Sequence, residues 1–177
     1  RPAEMKIFGI VGWSGSGKTT LMRQLLPELI GRGFRVSTIK HTHHNFDIDK
    51  PGKDSYVHRE AGAHEVLITG ARRWAILHEN RETLEPDIDI LLTRLEAVNL
   101  VLIEGFKSHD HAKMEIYRPV LEKTLLAAED TSIVAVASDE PVSIDGRVVL
   151  DLNNIPTIAD FIVTYCGLKR HFQDGAA

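Results

Sequence analysis

The sequence predicts an α/β fold, a mainly parallel sheet flanked by helices with antiparallel hairpin additions, and three observations carry that expectation. Short β-rich runs alternate with stretches of helical period, the first run enters a glycine-rich turn that opens a helix, and a second run follows that helix directly. At 177 residues the chain has the size of one domain, expected over 5–170, with 1–4 and 171–177 as terminal extensions.

The elements follow in order. Lys6 to Val11 (KIFGIV) is apolar, bounded by glycine and too short for a helix, so it reads as a buried strand. From Lys18 the apolar residues Leu21, Leu25, Leu29 and Ile30 recur at three- and four-residue spacings until Gly31 and Gly33 stop the helix. Phe34 to Ile39 is a second strand, and its return after a helix implies a right-handed parallel crossover. Lys40 to Ser55 is polar and aperiodic, a loop long enough to suggest function. A short helix near 55–61 precedes two strands, 65–69 and 74–78, joined as a hairpin around Gly70 and Arg72. Pro86 opens a helix expected over 87–95, and the apolar run Leu100 to Ile103 ends at Glu104-Gly105. Met114 to Tyr117 and Ile133 to Ala137 are strand-like, Asp145-Gly146 reads as the turn of a further hairpin, and Ile155 to Tyr165 as a closing amphipathic helix.

Charge and composition exclude several classes. Twenty-one basic residues against 25 acidic ones leave a formal net charge of −4, so no global positive field favours a nucleic-acid partner. The longest apolar runs fall far short of the roughly 20 residues that cross a bilayer. A single cysteine, Cys166, excludes an internal disulfide, and a cytoplasmic protein is expected.

Gly12-Trp13-Ser14-Gly15-Ser16-Gly17-Lys18-Thr19 matches G-x-x-x-x-G-K-[ST] in full, with a strand before it and a helix after it. This is the phosphate loop of P-loop NTPases. Its glycines let successive backbone N–H groups point at a phosphate chain, and the helix N-terminus adds partial positive charge. Lys18 is expected on the β and γ phosphates, the Thr19 hydroxyl on Mg²⁺, and Thr20 near the α phosphate. The nucleotide-binding set is therefore Gly12, Ser14, Gly15, Ser16, Gly17, Lys18, Thr19 and Thr20.

A Mg²⁺ site needs carboxylates. Glu104, at the end of an apolar strand, and Asp49, in the polar loop beside Asp47 and Asp54, are the candidates for metal binding or for orienting water. His41, His43 and His44 suit polar contacts with an anion better than a zinc site, because neither cysteine nor fixed helical spacing accompanies them. No N-K-x-D guanine signature is present. Ala135-Val136-Ala137-Ser138-Asp139 has the same architecture, however: an apolar strand ending in Ser138 and an Asp139 able to accept two N–H groups from guanine.

Taken together, these residues resemble the family of molybdopterin-guanine dinucleotide biosynthesis protein B. The resemblance spans nearly the whole chain from Met5. It rests on the strand running into the phosphate loop, Lys40-His41-x-His43-His44, Asp49-x-Pro51-Gly52-Lys53-Asp54-Ser55, Ala61-Gly62-Ala63, Glu104-Gly105-Phe106-Lys107 and Ala137-Ser138-Asp139. It implies an accessory GTPase with GTP and Mg²⁺ as ligands, homodimeric through sheets that join across the interface. It also implies a MobA-like nucleotidyltransferase partner, which joins GMP to molybdopterin.

The expected chemistry is slow, Mg²⁺-dependent hydrolysis of GTP: water attacks the γ phosphate in line, Lys18 and the metal stabilise developing charge, and Glu104 or Asp49 orients the water. Arg59, Arg72 and Arg73 are the candidates for an arginine finger within the chain, and a partner is the alternative source. Two other readings stay open on these residues, a small-molecule kinase and a nucleotide-binding adaptor that does not hydrolyse.

Overall fold

β1 (Lys6–Val11) forms the centre of a six-stranded sheet because its apolar side chains are needed on both faces: Phe8 and Ile10 are buried on one side and Val11 on the other. The computed structural model describes residues 5–44 and 46–170, so the expected terminal extensions lie outside the described residues. These residues fall into two compact units, one comprising 5–41 and 92–170 and the other 42–91.

In the larger unit, α1 (Lys18–Gly31) follows β1, and β2 (Val36–Lys40), β5 (Leu100–Glu104), β6 (Lys113–Tyr117), β7 (Ile133–Ser138) and β8 (Val148–Asp151) complete a sheet of order β2-β5-β1-β6-β7-β8. Every pairing in it is parallel. α1 and the closing helix α4 (Ile155–Cys166) share one apolar cluster with Phe8, Ile10, Leu102, Met114 and Ile116. Arg32 ties the two helices together, with Nη1 donating to Asp160 Oδ1 at 2.6 Å and Nη2 to Glu28 Oε1 at 2.9 Å. The buried stripe of α1 is Leu21, Met22, Leu25 and Leu29; Ile30, expected on it, is exposed. Asn154 caps α4 by accepting from the Thr157 amide.

The smaller unit contains α2 (Asp54–Glu60) and the antiparallel pair β3 (Glu65–Thr69) and β4 (Trp74–His78), the expected hairpin, with Leu67 opposite Ile76 and Thr69 opposite Trp74. α3 (Ile88–Leu92) is shorter than expected. The Asp87 carboxylate accepts from the Ile88 amide and sets its start.

The second hairpin expected at Asp145-Gly146 is not formed. β8 lies parallel to β7, with Ala135 opposite Val148 and Ser138 opposite Asp151. The connection runs back along β7 as non-helical chain. Val142 and Ile144 pack on the cluster of Val11, Ala127, Ile133 and Val136, and Arg147 donates to the carbonyls of Ile133, Ala127 and Asp130. Burial of two apolar side chains and a multiply bonded guanidinium outweigh the local preference of the Asp-Gly dipeptide for a tight reversal.

Candidate functional site

The glycine-rich loop joins β1 to α1 at the carboxyl edge of the sheet. Gly15 and Gly17 have φ of 80° and 100°, left-handed values that side chains resist and that turn successive amides toward one side. Gly12 is required for a different reason. A Cβ there would meet Ser16 Oγ at 2.6 Å and the Ile116 carbonyl at 2.7 Å. Ser16 is buried at the heart of the loop, and its Oγ has no hydrogen-bond partner.

Lys18 is folded over the loop, with Nζ donating to the Gly12 carbonyl at 2.8 Å and the Trp13 carbonyl at 3.2 Å. Burial, followed by the charge of Lys107, lowers its pKa; Glu104 acts in the opposite sense and Lys40 adds to the lowering. Three ammonium groups and one carboxylate thus share a field at this edge. A polyanion would relieve their repulsion, which the net charge of the whole chain conceals. Ser14, Thr19 and Thr20 are exposed around the same loop and the first turn of α1.

The topology brings Glu104 to this edge. β5 is the immediate neighbour of β1, with Glu104 opposite Ile10, and the Gly105 amide donates to the Ile10 carbonyl at 3.2 Å. His41 is part of the wall behind it. Its ring stacks on Phe106 with centroids 4.3 Å apart, and its amide donates to the Glu104 carbonyl at 2.9 Å.

Ser138 and Asp139 lie at the carboxyl end of β7, two strands from β1 in the same parallel sheet. Ser138 Oγ donates to the Glu140 carbonyl at 2.6 Å, turning the chain. Asp139 Oδ2 accepts from Arg118 Nε at 3.0 Å, whereas its Oδ1 is buried without a hydrogen-bond partner. Asp49 belongs to the smaller unit. Its side chain is 3% exposed and holds Arg59 in a two-oxygen ion pair, with Oδ1 3.0 Å from Nη2 and Oδ2 3.4 Å from Nε. Arg59 also contacts Asp47 and Glu79, and Asp49 is the first cause of its raised pKa.

Residue-level reading left three groups without a role. Lys107 reaches the field of Lys18, Trp13 donates its indole N–H to the Thr124 carbonyl at 2.9 Å, and Glu115 is a fully buried carboxylate. Glu115 pairs in register with Val11 and accepts from the Leu126 and Ala127 amides, both at 2.9 Å; burial raises its pKa. The signal was present as one charge inside the strand-like run Met114 to Tyr117.

This combination of fold and loop matches known proteins. The family model of molybdopterin guanine dinucleotide synthesis protein B, MobB, matches residues 7–139. The chain belongs to the MobB family. A molybdopterin-guanine dinucleotide biosynthesis adapter protein of Haemophilus influenzae is 45% identical over 172 residues, 96% of this chain and 93% of that one. Its counterpart in Escherichia coli is 40% identical over 165 residues, 90% of this chain and 92% of that one. Among solved structures, a molybdopterin-guanine biosynthesis protein B superposes with a TM-score of 0.71 at 29% identity, covering 90% of this chain and 99% of that one. The MobB of Bacillus subtilis gives a TM-score of 0.69 at 25% identity, covering 93% of this chain and 98% of that one. Among the described residues no helix is long and apolar enough to cross a membrane.

Proposed function

We propose that this protein is an accessory factor of molybdopterin-guanine dinucleotide assembly that binds GTP with Mg²⁺ and hydrolyses it slowly. The observation that carries the reading is the loop itself: left-handed Gly15 and Gly17, the orphan Ser16 hydroxyl and Lys18 at one helix start, with Glu104 on the adjoining strand. The adapter role rests on relatives that bear that name and match nearly end to end.

In this reading Lys18 exchanges the Gly12 and Trp13 carbonyls for the β and γ phosphates, while the loop amides and the start of α1 hold the remaining oxygens. Thr19 and Glu104 are the residues to hold Mg²⁺, which would neutralise developing phosphoryl charge. Glu104 alternatively orients the attacking water. Asp49 serves as metal or water ligand only by giving up Arg59, because both of its oxygens are paired. Asp139 reads guanine through Oδ1, and accepts two N–H groups as expected only by giving up Arg118, which holds Oδ2.

The β3–β4 hairpin supports the homodimer that the resemblance implies. Leu67, Trp74 and Ile76 alternate onto one face of it and are 59%, 64% and 48% exposed, an apolar surface of the kind that partners cover. A MobA-like nucleotidyltransferase is the proposed further partner.

Calorimetric titration of GTP and ATP, with and without Mg²⁺, tests the reading. GTP uptake that strengthens with Mg²⁺ and weakens in Asp139→Ala is the expected result. Absence of triphosphate uptake overturns the site, and preference for ATP overturns the guanine assignment.

A further inference from the structure

Beside the phosphate loop, on the sheet face opposite α1 and α4, lies a cavity of about 510 Å³, large enough for a small organic ligand. Its two ends differ in chemistry. Trp13 and Lys107 stand at the carboxyl edge of the sheet, where β1 and β5 end, with the Lys107 ammonium 5.3 Å from the indole centroid. Glu129 and Asp130 stand toward the amino edge, just before β7, where Ile133 is level with Lys113 and Gly9, two residues before Val11. Between them the walls are apolar, from Val11, Leu125 and Ile133.

The wall is held in place before any ligand arrives. Three separate hydrogen-bonded struts pin 123–127: Trp13 Nε1 to the Thr124 carbonyl, Tyr117 Oη to the Lys123 carbonyl at 2.9 Å, and the buried Glu115 carboxylate to the Leu126 and Ala127 amides. A carboxylate buried at 0% exposure to fix a two-residue wall is costly unless the shape it maintains is used. At the acidic end, Asp130 Oδ1 accepts from the Ser132 amide and hydroxyl, and the neighbouring Glu129 is the more exposed carboxylate.

We propose that this cavity is a second ligand site, separate from the nucleotide site of the loop, for a planar heterocycle that carries an amino-oxo-pyrimidine edge and a phosphate. The phosphate lies at Lys107, the ring against Trp13 and the apolar walls, and the ring N–H donors point to Glu129. Guanine nucleotides and pterin phosphates share this chemistry. The inference rests on the cavity alone and not on what the loop binds.

The test uses Trp74→Phe protein, in which Trp13 is the remaining tryptophan of the two in the chain. Its fluorescence is titrated with neopterin monophosphate, neopterin and GMP. Expected is saturable quenching by a phosphorylated probe, weakened about tenfold or more when the phosphate is absent or when exposed Lys107 is changed to Ala, the loss of one charge-assisted contact. Glu129→Gln weakens it further for the same probe. Lys18→Ala leaves it in place, so failure of the loop to bind GTP and failure of this site are read separately. Whichever of neopterin monophosphate and GMP binds more tightly identifies the source of the shared chemistry. No saturable quenching by either phosphate, unchanged affinity in Lys107→Ala, or loss of quenching in Lys18→Ala overturns the proposal.

Discussion

Lys18 holds two loop carbonyls at 2.8 and 3.2 Å, contacts that cost little to break compared with what a triphosphate offers in return. Lys18→Ala is therefore expected to weaken GTP binding by about ten- to a hundredfold, from roughly 1.5–3 kcal/mol for a charge-assisted contact, with little change in melting temperature. Calorimetry beside thermal melting separates the two effects. Gly12→Ala acts the other way round. Its Cβ collides with the Ile116 carbonyl, which is backbone and cannot swing aside, so the variant should lose about 1–3 kcal/mol of stability in urea unfolding together with its nucleotide affinity. His111 supplies the pH dependence. It is buried, and burial, followed by the charge of Lys113, depresses its pKa from 6.5 to about 4. The folded state keeps the ring neutral where the unfolded chain protonates it, so its contribution to stability is complete above pH 6.5 and is lost as pH falls toward 4. Urea midpoints measured across that window should drop more steeply for the parent protein than for His111→Gln.

At the scale of elements, Arg147 is the polar anchor of the return from β7 to β8, beside the apolar packing of Val142 and Ile144. Arg147 donates to three carbonyls at the start of β7 and in the turn before it. Arg147→Ala is expected to cost about 1–3 kcal/mol and to speed hydrogen exchange in β8 selectively, since among the described residues β8 is an edge strand paired with β7 alone. Arg59 has the corresponding place in the smaller unit, joining Asp47 and Asp49 to Glu79 across the loop and the hairpin. Arg59→Gln should leave the loop around 46–53 more open to limited proteolysis, read as faster cleavage there with cleavage within α1 and α4 unchanged.

At the scale of the molecule, charge and apolar surface are both unevenly distributed. Lys18, Lys40 and Lys107 gather at one sheet edge of a chain whose formal charge is −4, so anion affinity should fall with salt as a local effect. The apolar face of the hairpin is the other asymmetry. In the proposed homodimer, Trp74→Asp combined with Ile76→Asp should shift the sedimentation profile toward monomer; an unchanged profile rejects the hairpin as the interface.

The sequence by itself determined the strand, glycine-rich turn and helix around Lys18, the hairpin of β3 and β4, and the parallel character of the sheet's centre. Each of these is written in local terms, as a period, a turn residue or a motif, and a few neighbouring residues are enough to specify it. Only the tertiary structure decided that Glu104 stands beside the loop, because strand order is a contest among distant partners and β5 inserts between β1 and β2. It likewise decided that Asp49 is paired with Arg59, that Glu115 braces a cavity wall, and that Asp145-Gly146 precedes a parallel strand. In each of those cases the outcome depends on which buried charge finds a partner or which apolar side chain finds a cover, and those partners are far apart along the chain.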